Sequence, residues 1–281
     1  MMTEEIIEYT GFSFPRLLDQ YNIDLSQYTD RQKIEIMEWA LLDNFDNVAQ
    51  ELPVDDFIHD GMYYRALTIP AGVCLTGKIH HDDHICILEK GDLSVMTDDG
   101  LKRLQAPARF VARAGLKKIG YAHSDVVFST IHRTDIKDCK EAEARHVSDS
   151  DLTWVDDLMD FKQFLVEWDL PEKLVFDLSR DESDLINDLE LSDRVELKDS
   201  NIQGKGIFSM IEFIADEVIG NARIGDKRTA LGRYTNHSKR PNAQMIKGEK
   251  DNLLLVAIKP ISKGDEITID YREAGKCHLQ V

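Results

Sequence analysis

Three short segments in the C-terminal part of the chain could bind and position a polar ligand. They are residues 204–206 (GKG), 233–238 (RYTNHS) and 264–271 (GDEITIDY). Two glycines one residue apart allow a backbone to approach a ligand closely. The polar side chains of the second segment offer hydrogen-bond donors and acceptors to a heteroaromatic group. The glycine spacing matches neither a P-loop nor a dinucleotide-binding fingerprint, and taken alone the pair is typical of a simple turn.

Together, and in this order, the three segments resemble the SET-domain family of protein-lysine methyltransferases. That family carries a GxG near its start, an R-[FY]-x-N-H-S block followed by P-N-A, and a GEEL-T-x-D-Y ending. Here these motifs are residues 204–206, 233–243 (RYTNHSKRPNA) and 264–271. The resemblance covers roughly residues 192–273. It implies a compact β-rich domain that transfers a methyl group from S-adenosylmethionine to the lysine amine of a protein.

The resemblance also implies which residues hold the cofactor. The backbone of the glycine-rich turn and the Asn-His segment would contact S-adenosylmethionine, and an arginine would brace the loop between them. The implied cofactor-binding residues are Gly204, Lys205, Gly206, Arg233, Asn236 and His237.

Two tyrosines are the implied catalytic residues. Tyr271 would place its hydroxyl at the methyl-transfer site and orient the amine, and Tyr234 would line the cofactor or the channel wall. The amine must be neutral to attack, and a channel of low dielectric constant depresses the pKa of a lysine. No covalent enzyme intermediate is needed, so catalysis would rest on positioning and desolvation.

The segment between the first two motifs is short for this family. Only 29 residues separate Gly206 from Asn236, whereas SET enzymes normally hold an insert here that forms one wall of the peptide groove. The neighbouring helical segment or a second subunit would have to supply that wall. The alternative is a catalytically weak or inactive SET and cupin binding module that recruits protein partners.

A second candidate site lies further upstream, where His80, His81 and His84 fall within five residues. Such a cluster is typical of a metal site, and the short strands around it resemble a cupin barrel. Alignment with the cupin motifs places Lys78 and Lys118 at two of the four ligand positions. A lysine ammonium repels a cation.

Two interpretations of this barrel stay open. In the first, a metal binds His80 and His84 with His81 or His123 recruited, and the chain is a metal-dependent cupin enzyme. In the second, a metal-free scaffold has histidines that line a pocket for an anion or another small ligand, or that face solvent. The two lysines favour the second, so we predict no metal, and a barrel that serves as a homodimer contact or a partner-binding surface.

The pattern of elements predicts a mainly β protein with helical segments. The predicted order is an N-terminal helical segment (1–55), a cupin-like antiparallel β-barrel (56–137), an acidic helical connector (138–190) and a compact β-rich SET domain (191–281). Apolar residues at helical spacing predict a helix over 31–51, and Asp98-Asp99-Gly100 predicts a hairpin turn. The acids of the connector are expected to be solvated.

Charge is unevenly distributed along the 281 residues. The chain has 34 Lys and Arg against 52 Asp and Glu, a net charge of −18. Residues 194–281 hold 15 bases and 12 acids, which leaves 19 bases and 40 acids in residues 1–193. This excess argues against general nucleic-acid binding, which relies on Lys and Arg. It favours a basic protein that carries the substrate lysine.

Two further patterns bear on location. No run approaches the ~18 apolar residues of a membrane span. Four scattered cysteines without a C-x-x-C pair are typical of a reducing compartment, so we expect the cytoplasm, or the host cytoplasm for a viral protein.

Overall fold

The computed structural model describes residues 18–19, 21–44, 52–186, 193–202 and 204–274. The chain divides into two compact units, Met1–Leu152 and Thr153–Val281. Strands predominate in both, which confirms the prediction of a mainly β protein with helical segments. The segment 138–190, expected to act as a connector, is divided between the two units. No helix in the described ranges combines the length and apolar character that a membrane crossing requires.

The first unit contains eleven strands among its described residues. One helix precedes the first strand, and a second helix follows the tenth. The helices are α1 (Asp30–Asn44) and α2 (Cys139–His146), and a short 3-10 turn (Leu25–Gln27) precedes α1. The strands are β1 (Val54–His59), β2 (Met62–Ile69), β3 (Cys74–Gly77), β4 (Ile79–His80), β5 (His84–Lys90), β6 (Asp92–Thr97), β7 (Gly100–Gln105), β8 (Ala108–Ala112), β9 (Lys118–Ala122), β10 (Val126–Arg133) and β11 (Val147–Ser148).

Two antiparallel sheets share the core of this unit. One has the order β1-β2-β10-β5-β8 and the other the order β3-β9-β6-β7, while β4 pairs with β11. Alternate side chains of a strand point to opposite faces, which brings Ile69, Leu88, Leu93, Val95 and Val126 from both sheets into one apolar cluster. The fold therefore encloses its interior between two sheets.

Two local predictions can be compared with this unit. Thr97 and Gly100 are register partners where β6 turns into β7. Gly100 has a φ of +98°, a conformation that glycine adopts without steric penalty, so the predicted hairpin is present. The predicted helix over 31–51 corresponds to α1, and residues 45–51 lie outside the described residues.

The second unit begins with two helices and continues as short strands. The helices are α3 (Thr153–Glu167), α4 (Glu172–Arg180) and α5 (Ala230–Tyr234), and a 3-10 turn occupies Glu249–Asp251. The strands are β12 (Val195–Asp199), β13 (Lys205–Ser209), β14 (Val218–Ile224), β15 (Lys227–Arg228), β16 (Asn236–His237), β17 (Ala243–Lys247), β18 (Leu253–Ala257) and β19 (Glu266–Ile269).

The strands of the second unit form two four-stranded sheets, β12-β13-β19-β16 and β15-β14-β18-β17. The pairing of β16 with β19 is parallel and aligns Asn236 with Thr268 and His237 with Ile269. Parallel neighbours need a crossover connection, and the chain from β16 to β19 supplies it through β17 and β18. This pairing places the second and third sequence segments side by side.

Helix α5 lies directly on strand β14. A Cβ added at Gly232 would lie 2.0 Å from the carbonyl oxygen of Ala222, so this approach requires glycine. Thr229 caps the helix, because its side chain accepts a hydrogen bond from the N–H of Gly232. The helix leads straight into the Asn236–His237 strand, whose position is therefore set by this contact.

Candidate functional site

The glycine-rich turn and the Asn-His segment are joined by a carboxylate. Asn236 Nδ2 donates to the carbonyl oxygen of Lys205 at 3.1 Å and to Oε1 of Glu266 at 2.8 Å. Ser200 Oγ donates to the same carboxylate at 2.8 Å. A Cβ added at Gly206 would lie 2.2 Å from Glu266 Oε1. Gly206 is therefore required by this internal network, and both N–H groups of the Asn236 amide are used within the fold.

The first residue of the same turn remains open. Gly204 has a φ of +53°, and no atom lies within 4 Å of the Cβ that another residue would carry there. Lys205 extends its ammonium to Asp199 at 3.3 Å in an exposed pair. The backbone at Gly204 is thus accessible, whereas Gly206 is packed.

His237 links helix α3 to the last segment. Its Nε2 lies 2.8 Å from Asp160 Oδ2, and its Nδ1 accepts a hydrogen bond of 3.2 Å from the main-chain N–H of Tyr271. Because Nδ1 accepts, Nε2 carries the proton in the neutral ring and donates to Asp160. Burial opposes ionisation of Asp160, but hydrogen bonds from Arg272 and His237 hold the pKa of this carboxyl below its ordinary value.

A second acid of helix α3 binds the next residues of the motif. Asp157 Oδ1 accepts from Ser238 Oγ at 3.0 Å and from the main-chain N–H of Lys239 at 2.9 Å. The prediction that the connector acids are solvated is therefore wrong for Asp157 and Asp160. Both carboxylates accept hydrogen bonds from the RYTNHS segment in place of water. Buried carboxylates require such partners.

Tyr271 lies among aromatic rings with its hydroxyl on a main-chain carbonyl. The hydroxyl donates to the carbonyl oxygen of Thr235 at 3.2 Å. The rings of Phe161 and Phe164 meet the tyrosine edge-on, with centroids at 6.3 and 6.2 Å. Burial, with a smaller contribution from the Glu266 carboxylate, raises the pKa of Tyr271 to about 12. The phenol is therefore neutral at physiological pH.

A cavity of about 290 Å³ lies beside this tyrosine, and we call it the Tyr271 cavity. Tyr271, Thr235 and Arg233 line one part of it. Its volume is at the lower end of the ~300–1,000 Å³ of small-molecule sites. The remaining lining residues are Phe164, Leu170, Val175, Ala222, Arg223, Arg228, Gly232, Met245, Leu253, Ile269 and Ala274. Helices α3 and α4 thus supply an apolar wall to the cavity that contains the tyrosine.

Arg233 is a buried cation at the edge of this cavity. Its guanidinium lies over the ring of Tyr234 at 5.2 Å, donates to the carbonyl oxygen of Asp181, and is 3.8 Å from the Glu182 carboxylate. Its Nε is buried, and no described atom accepts its proton. A buried N–H without an acceptor is costly, so the site fits a ligand with a carboxylate, such as the methionyl end of S-adenosylmethionine.

The structure divides the sequence-predicted site residues into two groups. Arg233 and Tyr271 line the cavity, whereas Tyr234 packs against the apolar core. The turn 204–206 and the pair Asn236–His237 are not among the described residues that line it. Asn236 contacts Glu266 instead, and His237 connects Asp160 to the main chain of Tyr271.

Sequence reasoning did not identify several residues of this site. Glu266 lies inside the GDEITIDY motif, so its position in the sequence could have indicated a role in the site. Asp157 and Asp160 are three residues apart and therefore share a helix face, but their partners are more than seventy residues away along the chain. Phe161 and Phe164 are aromatic residues of the same helix, a pattern typical of core packing.

The histidines of the first unit form a cluster of different composition from the predicted one. Nitrogens of His80, His84 and His132 all lie within 4.8 Å of one another. His81, a predicted recruit, instead contacts the carbonyl oxygen of Arg145 and the hydroxyl of Ser148. The other predicted recruit, His123, contacts Ser94 at 2.8 Å. The third member, on strand β10, is too distant in sequence for a local motif to indicate.

Comparison with solved structures yields only distant likenesses. A cupin-2 domain containing protein from Shewanella frigidimarina is 13% identical, with 41% of this chain and 98% of that chain covered and a TM-score of 0.26. A cupin superfamily protein from Desulfitobacterium hafniense is 11% identical, with 32% and 84% covered and a TM-score of 0.27. Scores this low do not establish a shared fold. No curated protein matches the chain.

A family model gives a firmer result. The model described as SET domain matches residues 71–272, which is more than half of the chain. The matched range includes all three segments from which the resemblance was drawn, and it reaches further towards the N-terminus than the predicted SET boundary. The chain belongs to the SET-domain family.

Proposed function

We propose that this protein is an S-adenosylmethionine-dependent protein-lysine N-methyltransferase, with methyl transfer beside Tyr271. One observation carries the proposal: the neutral phenol of Tyr271 and the carbonyl oxygen of Thr235 meet at 3.2 Å beside the Tyr271 cavity. SET-domain membership supports the reaction class.

These two oxygen atoms suit a lysine amine. An ammonium has no lone pair, so the substrate must be deprotonated before it attacks. A neutral amine keeps two N–H groups, which the phenol oxygen of Tyr271 and the carbonyl of Thr235 accept, so that the lone pair points away from both. The apolar wall from Phe164 and Leu170 excludes water and disfavours the charged amine.

Other residues would hold the cofactor. When bound, S-adenosylmethionine supplies an electrophilic methyl group on its sulfonium. Arg233 would donate Nε–H to the methionyl carboxylate, and the open backbone at Gly204 remains the proposed contact for another part of the molecule. That methyl group would pass to the lysine nitrogen held by Tyr271 and Thr235, with the bonding electrons left on sulfur and one proton lost from the nitrogen.

Charge supports a basic substrate. Residues 1–193 carry 40 acids against 19 bases, so a lysine-rich protein would be attracted and its association would weaken with salt.

The test uses the full-length protein with radiolabelled S-adenosylmethionine and two acceptors, polylysine and a fractionated lysate of the host. Calorimetry measures cofactor binding separately. The variant is Tyr271→Phe, which keeps the ring and removes the hydroxyl. The matched control is Tyr64→Phe in the first unit, which also removes a phenol hydroxyl, here one that contacts Glu89 at 2.7 Å and Ser129 at 3.2 Å.

We expect the unaltered protein and the control to bind cofactor and label a protein acceptor. Tyr271→Phe should bind cofactor with similar affinity and label at least about 100-fold more slowly, the usual range for a positioned acid–base group. Cofactor binding without labelling of any acceptor would favour the binding-module alternative. No cofactor binding at all would refute the proposal.

A further inference from the structure

The interior of the first unit contains a pocket of about 240 Å³, which we call the histidine pocket. Strands of both sheets line it. Its polar lining includes the imidazoles of His80, His132 and His146 and the ammonium of Lys118. The methyltransferase proposal uses none of these groups.

The imidazoles of this pocket and the neighbouring ring of His84 are stacked and joined by hydrogen bonds. The rings of His80 and His84 stack with centroids 4.0 Å apart, and those of His84 and His132 with centroids 4.6 Å apart. His80 Nδ1 lies 3.0 Å from His132 Nε2. His146 Nδ1 contacts Asp82 Oδ2 at 2.9 Å. These contacts hold the rings in fixed positions without a ligand.

A divalent metal does not suit this arrangement. The ammonium of Lys118 lies 3.4 Å from His84 Nε2, on the nitrogen that a metal would need. Two cations at such a separation in a buried site repel each other strongly. His80 Nδ1 and His132 Nε2 already form a hydrogen bond with each other.

The pocket contains a buried cation that has no anionic partner among the described residues. Lys118 is only 9% exposed, and no carboxylate of the described residues lies within salt-bridge distance of it. Glu143, which also lines the pocket, is engaged by Arg65 at 3.1 Å and Lys78 at 3.5 Å. A buried charge without a counter-charge is unfavourable, so a bound anion would stabilise this group.

A second group in the pocket has an unsatisfied hydrogen-bonding atom. His132 is 2% exposed, and its Nδ1 is buried with no hydrogen-bond partner among the described atoms. In the tautomer in which His80 Nδ1–H donates to His132 Nε2, the Nδ1–H of His132 is a donor without an acceptor. Buried donors are nearly always paired. Lys118 and His132 both line the pocket, and each has a donor that an acidic ligand could satisfy.

Much of the remaining lining of the pocket is apolar. These residues are Leu67, Ile69, Leu75, Leu93 and Val95, together with Phe128, whose ring lies 5.9 Å from the Lys118 ammonium. An inorganic anion would leave these side chains without contacts, whereas a hydrocarbon tail would bury its surface against them. The volume corresponds to about eight water-sized groups, which limits the occupant to a small molecule.

We infer that the histidine pocket binds a small organic carboxylate. Its carboxylate accepts hydrogen bonds from Lys118 and His132, and its apolar tail of a few carbons lies between the two sheets. This site is separate from the proposed methyl-transfer site, and the inference does not depend on that activity.

The test titrates the full-length protein by calorimetry with straight-chain carboxylates from acetate to octanoate and with benzoate. Hexanamide and benzamide serve as neutral analogues of the same shape. The variant is Lys118→Met, which removes an unpaired buried charge and is therefore expected to fold. Lys102→Met, which removes an exposed lysine on strand β7, is the control.

We expect affinity to rise with chain length and then to fall once the tail exceeds the pocket. The amides and Lys118→Met should bind at least tenfold more weakly, with Lys102→Met unchanged. Failure of every carboxylate to bind, or equal binding of acids and amides, would refute the inference. Stoichiometric retention of Fe²⁺ or Zn²⁺ that is lost in His84→Ala would refute it as well.

Discussion

Asp160 holds the imidazole of His237 at 2.8 Å, and the other nitrogen of that ring accepts the main-chain N–H of Tyr271. One histidine thus connects helix α3 to the tyrosine proposed to orient the substrate amine. Arg272, next to that tyrosine, donates to the same Asp160 carboxylate at 2.7 Å. The position of Tyr271 therefore depends on an acid far away in sequence.

The first prediction concerns this acid. Asp160→Asn keeps an acceptor for His237 but removes the charge that faces Arg272, and should cost about 1–3 kcal/mol of unfolding free energy. Asp160→Ala leaves both partners without a carboxylate and should cost about 3–5 kcal/mol. Urea denaturation followed by peptide-resolved hydrogen exchange over 153–167 and 230–238 measures both. Asp156→Asn, on the same helix, weakens an exposed pair of 3.4 Å with Arg240 and should change stability by under about 1 kcal/mol. Equal effects at both positions would contradict the account.

The second prediction concerns the contact between Gly206 and Glu266. Gly206→Ala places a methyl group against the Glu266 carboxylate and should cost about 1–3 kcal/mol. Glu266→Ala removes the acceptor of Asn236 and Ser200, at a similar cost. The double variant no longer has the clash, so its loss should be smaller than the sum by about 1 kcal/mol or more. Strict additivity in a double-mutant cycle would show that the two residues do not interact.

The third prediction concerns Arg233 and rests on the proposed function. Arg233→Lys keeps the charge but removes Nε–H, so calorimetry should show S-adenosylmethionine binding weakened about tenfold or more, the value of a hydrogen bond to a charged group. Arg240→Lys, an exposed arginine of the same unit, is the control. Unchanged affinity in Arg233→Lys would show that the methionyl carboxylate does not bind at Arg233.

The fourth prediction is a loss of stability in acid. Burial, with neighbouring imidazoles and Lys118, lowers the pKa of His80 to about 2 and the pKa values of His84 and His132 to about 4. In the unfolded chain these groups titrate near ~6.5. Between about pH 6.5 and pH 4 the unfolded chain binds protons that the folded chain does not. The unfolding free energy of the first unit should therefore decrease as the pH is lowered, by up to ~1.4 kcal/mol per pH unit for each histidine.

Hydrogen exchange of peptides from the first unit at pH 7 and pH 5, corrected for intrinsic rates, measures this slope. His132→Phe should make it shallower. His59→Gln, at an exposed position on strand β1, should leave it unchanged. A slope that His132→Phe does not alter would mean that other groups control the acid sensitivity.

Part of this protein could be predicted from local pattern alone. Strand and helix periodicity, the Asp98–Gly100 turn and the three C-terminal motifs depend on residues close together in the chain, and they led correctly to a mainly β protein of the SET-domain family. Homodimerisation through the barrel stays a prediction, because it depends on a second chain.

Only the tertiary structure decided which side chains meet. Asp160 and His237 lie 77 positions apart, and His80 and His132 lie 52 apart. Periodicity reports which face of an element is buried, not which donor lies opposite. The same limit applies to Lys118, whose buried charge without a counter-charge depends on the packing of two sheets. Contacts of this range arise from sheet order and helix docking, which no short motif encodes.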